Sequence, residues 1–138
     1  MNLERLEKLL RILSDRVRLR ILNLLNNAEE LCVCDIQECL RLPQYTVSRH
    51  LKPLKDLELV HTRRNGKWVY HRLDVANEDI RAIIHQLLQL ISNDSVAAQD
   101  LKRLELRRKL GKDSTCSIDS NLWIEALKSS ELLGDEGT

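Results

Sequence analysis

Two cysteines, Cys32 and Cys34, flank Val33 just before a segment with helical spacing. Sulfur is a soft donor, and two thiolates this close form a clamp for a soft ion. A helix start at this point would add unpaired backbone donors and the positive end of the helix dipole, both of which favour thiolate over thiol. A disulfide between the two would have to close a strained loop. Cys39 follows Ile36 by three residues on the inward stripe and reads as a small core residue, roughly 10 Å of helical rise from Cys32. Cys116 lies in a polar stretch from Gly111 to Ser120, from which it could reach the pair as a third sulfur, in its own or a partner subunit.

A second group of residues follows directly. Gln44, Tyr45, Thr46, Ser48, Arg49, Lys52 and Lys55 fall on or beside the outer face of a predicted helix, His50 at the edge of its core with a nitrogen for backbone or phosphate, and Arg63, Arg64 and Lys67 on a predicted hairpin. Gln and Arg can make bidentate contacts to adenine and guanine edges, whereas the lysines and the hairpin arginines would neutralise phosphates. Whole-chain net charge is only +1, but residues 41–72 hold eight Lys and Arg against two acids. With two Trp, two Tyr and no Phe there is little material for stacking single-stranded bases, so duplex DNA is the expected partner and RNA is not.

The elements that must position these groups follow from periodicity and caps. Leu3, Leu6, Leu9, Leu10 and Leu13 make one stripe of a helix from Asn2 to Leu13, and Ser14-Asp15 punctuate it and cap the next. Val17 to Leu25 is more apolar and nearly encircles a second, buried helix that stops at Asn26-Asn27. A short helix runs from about Cys32 to Leu42, and Pro43 ends it and opens the outward-basic helix from Gln44 to about Glu58. Pro53 predicts a bend or loosened turn there. Asn65-Gly66, between two β-rich runs, is a strong hairpin signal.

Beyond the hairpin, Ile80, Ile83, Ile84, Leu87, Leu88 and Ile91 line a helix over 78–92 whose aliphatic surface wants a partner. A charged helix from Ala97 to Leu110, the polar break, and a short helix around Leu122, Trp123, Ala126 and Leu127 complete the chain, with Gly134 to Thr138 expected to fray. The expected fold class is mostly α with a small β-hairpin, a winged helix-turn-helix. The expected division is a DNA-binding and dimerisation domain over 1–93 and a C-terminal helical extension with a cysteine-containing break over 94–138.

Composition narrows the function. The 138 residues are 43% hydrophobic and 31% charged, and no run approaches a membrane span. The amino terminus lacks the uninterrupted apolar stretch of a signal peptide, so a reducing cytoplasm is expected. His61 and His71 belong to the basic hairpin, and His85 shares a solvated face with Arg81, Gln89 and Ser92. No Ser or Cys is paired with His and a carboxylate at readable spacing, and neither Cys-x-x-Cys nor a glycine-rich phosphate loop occurs. An enzyme is not expected, nor a constitutive cofactor.

Four stretches taken in order resemble the ArsR/SmtB family of winged-helix transcriptional repressors: Leu13-Ser14-Asp15 through Leu22, Glu30 to Ile36, Thr46 to Leu51, and Asn65 to Tyr70. The resemblance covers roughly residues 3–92. It implies a homodimer built from the first helix and the helix over 78–92, through Leu3, Leu6, Leu10, Ile80, Ile84, Leu87, Leu88 and Ile91. It also implies an operator of dyad symmetry and release when an inducer binds. In that family Cys-Val-Cys at this place is typical of sensors of arsenite and antimonite, and also of cadmium, lead and zinc. The cadmium and lead sensors add cysteines from an amino-terminal extension, for which a first helix beginning at Asn2 leaves no room, so trivalent arsenic is the preferred inducer.

The chain departs from the family pattern at several positions. Gln37 stands where the best-known arsenite sensors place a third cysteine, so a third arsenic ligand would be Cys116, an exogenous thiol or hydroxide, or none. The family's other metal site, on the dimerisation helices, needs carboxylate and His pairs that this helix lacks, having only His85. Arg16 replaces a common Pro, and Glu58 the usual Gly at the end of the recognition helix. Two rival readings remain: a thiol-redox or persulfide sensor in which Cys39 or Cys34 joins Cys116, and a helical dimeric adaptor that never touches DNA.

Overall fold

Short polar side chains open most of the helices. In the computed structural model, which describes residues 1–111 and 117–134, Asn2 accepts from the Arg5 N–H and starts α1 (Leu3–Leu13), and Asp15 accepts from Arg18 and starts α2 (Arg16–Asn26). Asn77, Asp94 and Asp119 do the same for α5 (Glu78–Leu90), α6 (Ser95–Leu110) and α7 (Ser120–Ser129). Because Asp94 recaps the chain, α6 is a separate helix and not a continuation of α5.

Between them lies the helix-turn-helix unit. A two-residue strand β1 (Leu31–Cys32) leads into α3 (Val33–Leu40), which ends at Arg41 in the left-handed region, φ 56°. Leu42 N–H then bonds back to the Gln37 carbonyl, and Pro43 caps α4 (Gln44–Asp56). The helix runs on through Pro53 to Asp56, so the proline is accommodated within α4.

The wing is β2 (Val60–Asn65) and β3 (Trp68–Leu73), antiparallel, with Asn65 opposite Trp68. Gly66 and Lys67 therefore form the turn, and Asn65 is the last strand residue instead of a turn residue. Gly66 has φ +62° and a Cβ there would meet nothing within 4 Å, so its requirement is conformational. β1 pairs with the other edge of β3, Cys32 opposite Tyr70, giving a three-stranded sheet of order β1-β3-β2. That third strand was not legible in the sequence.

The core gathers Ile21, Leu22, Leu24 and Leu25 of α2 with Ile36, Leu40, Val47, Leu51 and Leu54, and it includes Leu104 of α6. A smaller cluster of Trp123, Leu127 and Leu132 packs with Leu106 and Leu110. α6 is thus layered onto α2 and α3 and shares their core, while α7 packs on α6 in a cluster of its own. Ile84 and Leu88 are buried in that same core, so of the expected interface residues these two face inward. Leu3 and Leu10 are exposed, while Leu6, Ile80, Leu87 and Ile91 are half-buried. No helix among the described residues is long and apolar enough to cross a membrane.

Candidate functional site

Cys32 ends β1 and is the N-cap of α3, where it supplies no side-chain cap bond. The backbone N–H groups of Cys34 and Asp35 act on the Cys34 sulfur. Cys32 Sγ lies 2.7 Å from Cys34 Sγ and 3.2 Å from Asp35 Oδ2. Each of the three residues offers a donor atom within 4.8 Å of the others. Two sulfurs and one carboxylate suit a soft or borderline ion.

The electrostatics differ from the sequence expectation. Burial, reinforced by Asp35, pushes the Cys34 thiol up to about 11, against the pull of Arg107 and the backbone N–H groups of Cys34 and Asp35. Desolvation outweighs the helix terminus, and the Cys34 thiol keeps its proton at neutral pH. Cys39 is fully buried, with its thiol pushed far up by burial, as a core residue should be. Cys39 carries a free thiol. Cys116 lies outside the described residues.

A cleft of about 290 Å³ opens from the sulfurs. Gln37 of α3, Gln44 at the first turn of α4, and Lys67 and Trp68 at the wing tip line it together with Cys32 and Cys34. An ion held at the sulfurs would therefore sit against both elements that carry the expected nucleic-acid contacts.

On the outer face of α4, Gln44, Tyr45, Ser48, Arg49, Lys52 and Lys55 are exposed and Thr46 is half-buried. The Arg49 guanidinium lies 5.4 Å over the Tyr45 ring, and Lys52 pairs with Asp56 at 3.3 Å. His50 is turned inward, 9% exposed, with Nδ1 3.6 Å from Asp15 Oδ1. Burial lowers its affinity for a proton, in keeping with the expected place at the core edge. On the wing, Arg64 and Lys67 are exposed, with Lys67 over the Trp68 ring. Arg63 donates through Nε and Nη2 to the Glu30 carboxylate and stacks over Tyr70. That pair ties β2 to the residue just before β1.

Sequence reasoning missed what lies behind the sulfurs. Asp35 accepts from Arg107 Nε at 2.9 Å, both side chains being almost fully buried. Arg107 lies 4.7 Å under the Trp123 ring, whose Nε1 donates to Glu38 at 2.7 Å. Two helical turns away, Asp100 accepts from Arg20 at 2.8 and 2.9 Å and from Arg103 at 3.3 Å. Arg103 also donates to the carbonyls of Cys39 and Leu132. The signal was the spacing of Ala97, Asp100, Leu104 and Arg107, a buried helical face whose members are largely charged.

A short helix, a tight turn, an outward-basic helix and a β wing define a winged helix-turn-helix regulator, here with a sulfur cluster at its first helix. The family described as bacterial regulatory protein, arsR family, matches residues 15–62. The arsenical resistance operon repressor of Staphylococcus xylosus is 39% identical over 104 residues, 74% of this chain and 96% of that protein. The cadmium resistance transcriptional regulatory protein CadC homolog of Staphylococcus aureus is 35% identical over 79 residues, 57% of this chain and 64% of its own length. A crystal structure of a possible transcriptional regulatory protein from Mycobacterium bovis superposes with a TM-score of 0.53 at 30% identity, covering 67% of this chain and 95% of that one. The chain belongs to the ArsR family of bacterial transcriptional regulators.

Proposed function

We propose that this protein is a homodimeric repressor that binds operator DNA through α4 and the wing and is released when trivalent arsenic or antimony binds Cys32 and Cys34. The carrying observation is the shared cleft, which places the sulfur pair against Gln44 of α4 and Lys67 and Trp68 of the wing. The resistance operon repressors that the chain resembles support arsenic as the inducer. Arsenous acid suits a thiol that holds its proton, as Cys34 does. Each As–S bond forms as an As–O bond breaks, and the thiol proton leaves with the hydroxyl as water, without redox change. Cys116 is a candidate third sulfur. Exposed Leu3 and Leu10 on α1 and half-buried Ile80, Leu87 and Ile91 on and beside α5 are the faces available to a second copy.

The test is fluorescence anisotropy of duplex DNA from the protein's own promoter, with reduced protein, titrated separately with arsenite, cadmium, zinc and hydrogen peroxide. Arsenite is expected to weaken DNA binding about 5- to 150-fold. Affinity should fall steeply with salt, as phosphate neutralisation requires. Cys32→Ser with Cys34→Ser should abolish release, and retained release would overturn the reading. Release by peroxide alone would instead select a second reading, a thiol-redox sensor. No salt-dependent binding to any duplex would leave the adaptor reading.

A further inference from the structure

The sulfur pair has a carboxylate beside it and a guanidinium behind that carboxylate. Asp35 directs Oδ2 at Cys32 Sγ, 3.2 Å away, and gives Oδ1 to Arg107 Nε at 2.9 Å. Arg107 is fixed in turn, 4.7 Å under the Trp123 ring, on a helix whose Arg103 and Asp100 are locked to α2, α3 and the chain near Leu132. Its position is thus set by packing outside the thiol site. Cadmium, lead and zinc are dications that accept carboxylate oxygen readily, and with Cys32 and Cys34 the Asp35 oxygen would complete a three-donor set. Neutral arsenous acid exchanges a hydroxyl for a thiol sulfur with loss of water, and has little use for carboxylate. A buried cation on the far oxygen makes Asp35 a poorer donor and repels an incoming dication, while leaving a neutral arsenous species unaffected.

We propose that Arg107 is a specificity-determining residue of the thiol site, which by holding Asp35 disfavours divalent cations relative to trivalent arsenic. The inference rests on the reading of Cys32 and Cys34 as inducer ligands. It gives the segment after residue 93 a part in choosing the inducer.

The test is direct binding of arsenite and of cadmium to the reduced full-length protein, followed by sulfur-to-metal charge-transfer absorbance without DNA. In Arg107→Gln, cadmium affinity is expected to rise about tenfold or more, the scale of removing one neighbouring charge. Arsenite affinity should stay within about threefold of the parent, since no net charge enters with it. Adding Asp35→Asn to Arg107→Gln should erase the cadmium gain, and Arg107→Lys should keep cadmium weak. Asp100→Asn loosens the same helix without touching Asp35 and should not alter the ratio of the two affinities. If Arg107→Gln does not fold by circular dichroism, Arg107→His at pH 8 keeps a donor to Asp35 while losing the charge, and carries the same expectation. An unchanged ratio, a gain that survives Asp35→Asn, or an equal shift in Asp100→Asn would each overturn the proposal. Failure of the wild type to bind arsenite at all would instead strike the inducer reading on which it rests.

Discussion

At the scale of single residues, burial decides which of the sequence's chemical groups are available. The cysteines at a helix N-terminus promised thiolates, yet half-burial and Asp35 keep Cys34 protonated. The histidines divide in the same way. His85 stays exposed beside Gln89, whereas His71 is 2% exposed and its Nδ1 has no hydrogen-bond partner among the described residues. Burial, helped by Lys55, lowers the His71 proton affinity below the ordinary histidine value. The unfolded chain, titrating near 6.5, therefore takes up a proton that the folded chain refuses. Its contribution to stability is present above that pH and is lost as the pH falls below it. The urea midpoint should drop between pH 7.5 and pH 5.5, and His71→Leu should show a smaller drop, with a remainder from inward His50, which is lowered for the same reason. An identical pH dependence in the variant would show that His71 does not carry it.

At the scale of elements, what was legible is what local chemistry dictates. Asn2, Asp15, Asn77, Asp94 and Asp119 each accept a backbone N–H three residues on, so most helix starts could be read from residue type alone. The hairpin was legible from Gly66, though its register was off by one because the strand pairing, and not the dipeptide, sets the turn. β1 was illegible: two residues carry no period, and only β3 makes Leu31–Cys32 a strand. The joint between α4 and β2 shows a local conflict. Glu58 adopts φ +59°, the left-handed region that a glycine enters without Cβ strain. Leu59 N–H bonds back to Leu54 across it, so the conformation is imposed by the turn. Glu58→Gly should therefore stabilise the fold by about 1 kcal/mol, the cost of a left-handed non-glycine residue. Thermal unfolding should rise by about 4 °C. An unchanged or lowered midpoint would mean that the carboxylate makes up for the strain.

At the scale of the whole molecule, the sequence drew a boundary that the packing does not respect. The sequence reads Ala97 to Leu110 only as a charged helix, because hydrophobic period is the guide and the buried face of α6 is largely ionic. Asp100, Arg103 and Arg107 sit at 1%, 4% and 4% exposure and tie α6 to Arg20 of α2 and Asp35 of α3. Burial raises the Asp100 carboxyl above its usual range despite both arginines, and burial lowers the Arg103 guanidinium below its own, so each ion is held against a desolvation cost. Such pairs specify geometry more than they add stability, but breaking one strands its partner. Asp100→Ala leaves two buried guanidinium groups without their carboxylate and should cost about 3–5 kcal/mol, read as a lower urea midpoint. Ending the chain after Asn93 removes the same network together with Leu104, uncovering the faces of α2 and α3 that α6 fills. That shortened chain should lose cooperative unfolding or unfold at markedly lower urea than the full protein. A fragment with the parent's midpoint would restore the boundary at residue 93, and with it the reading of α6 and α7 as an independent appendage. The expected loss instead makes the helix behind the sulfur pair part of the same folding unit as the winged helix, which is what allows Arg107 to be held rigidly at Asp35.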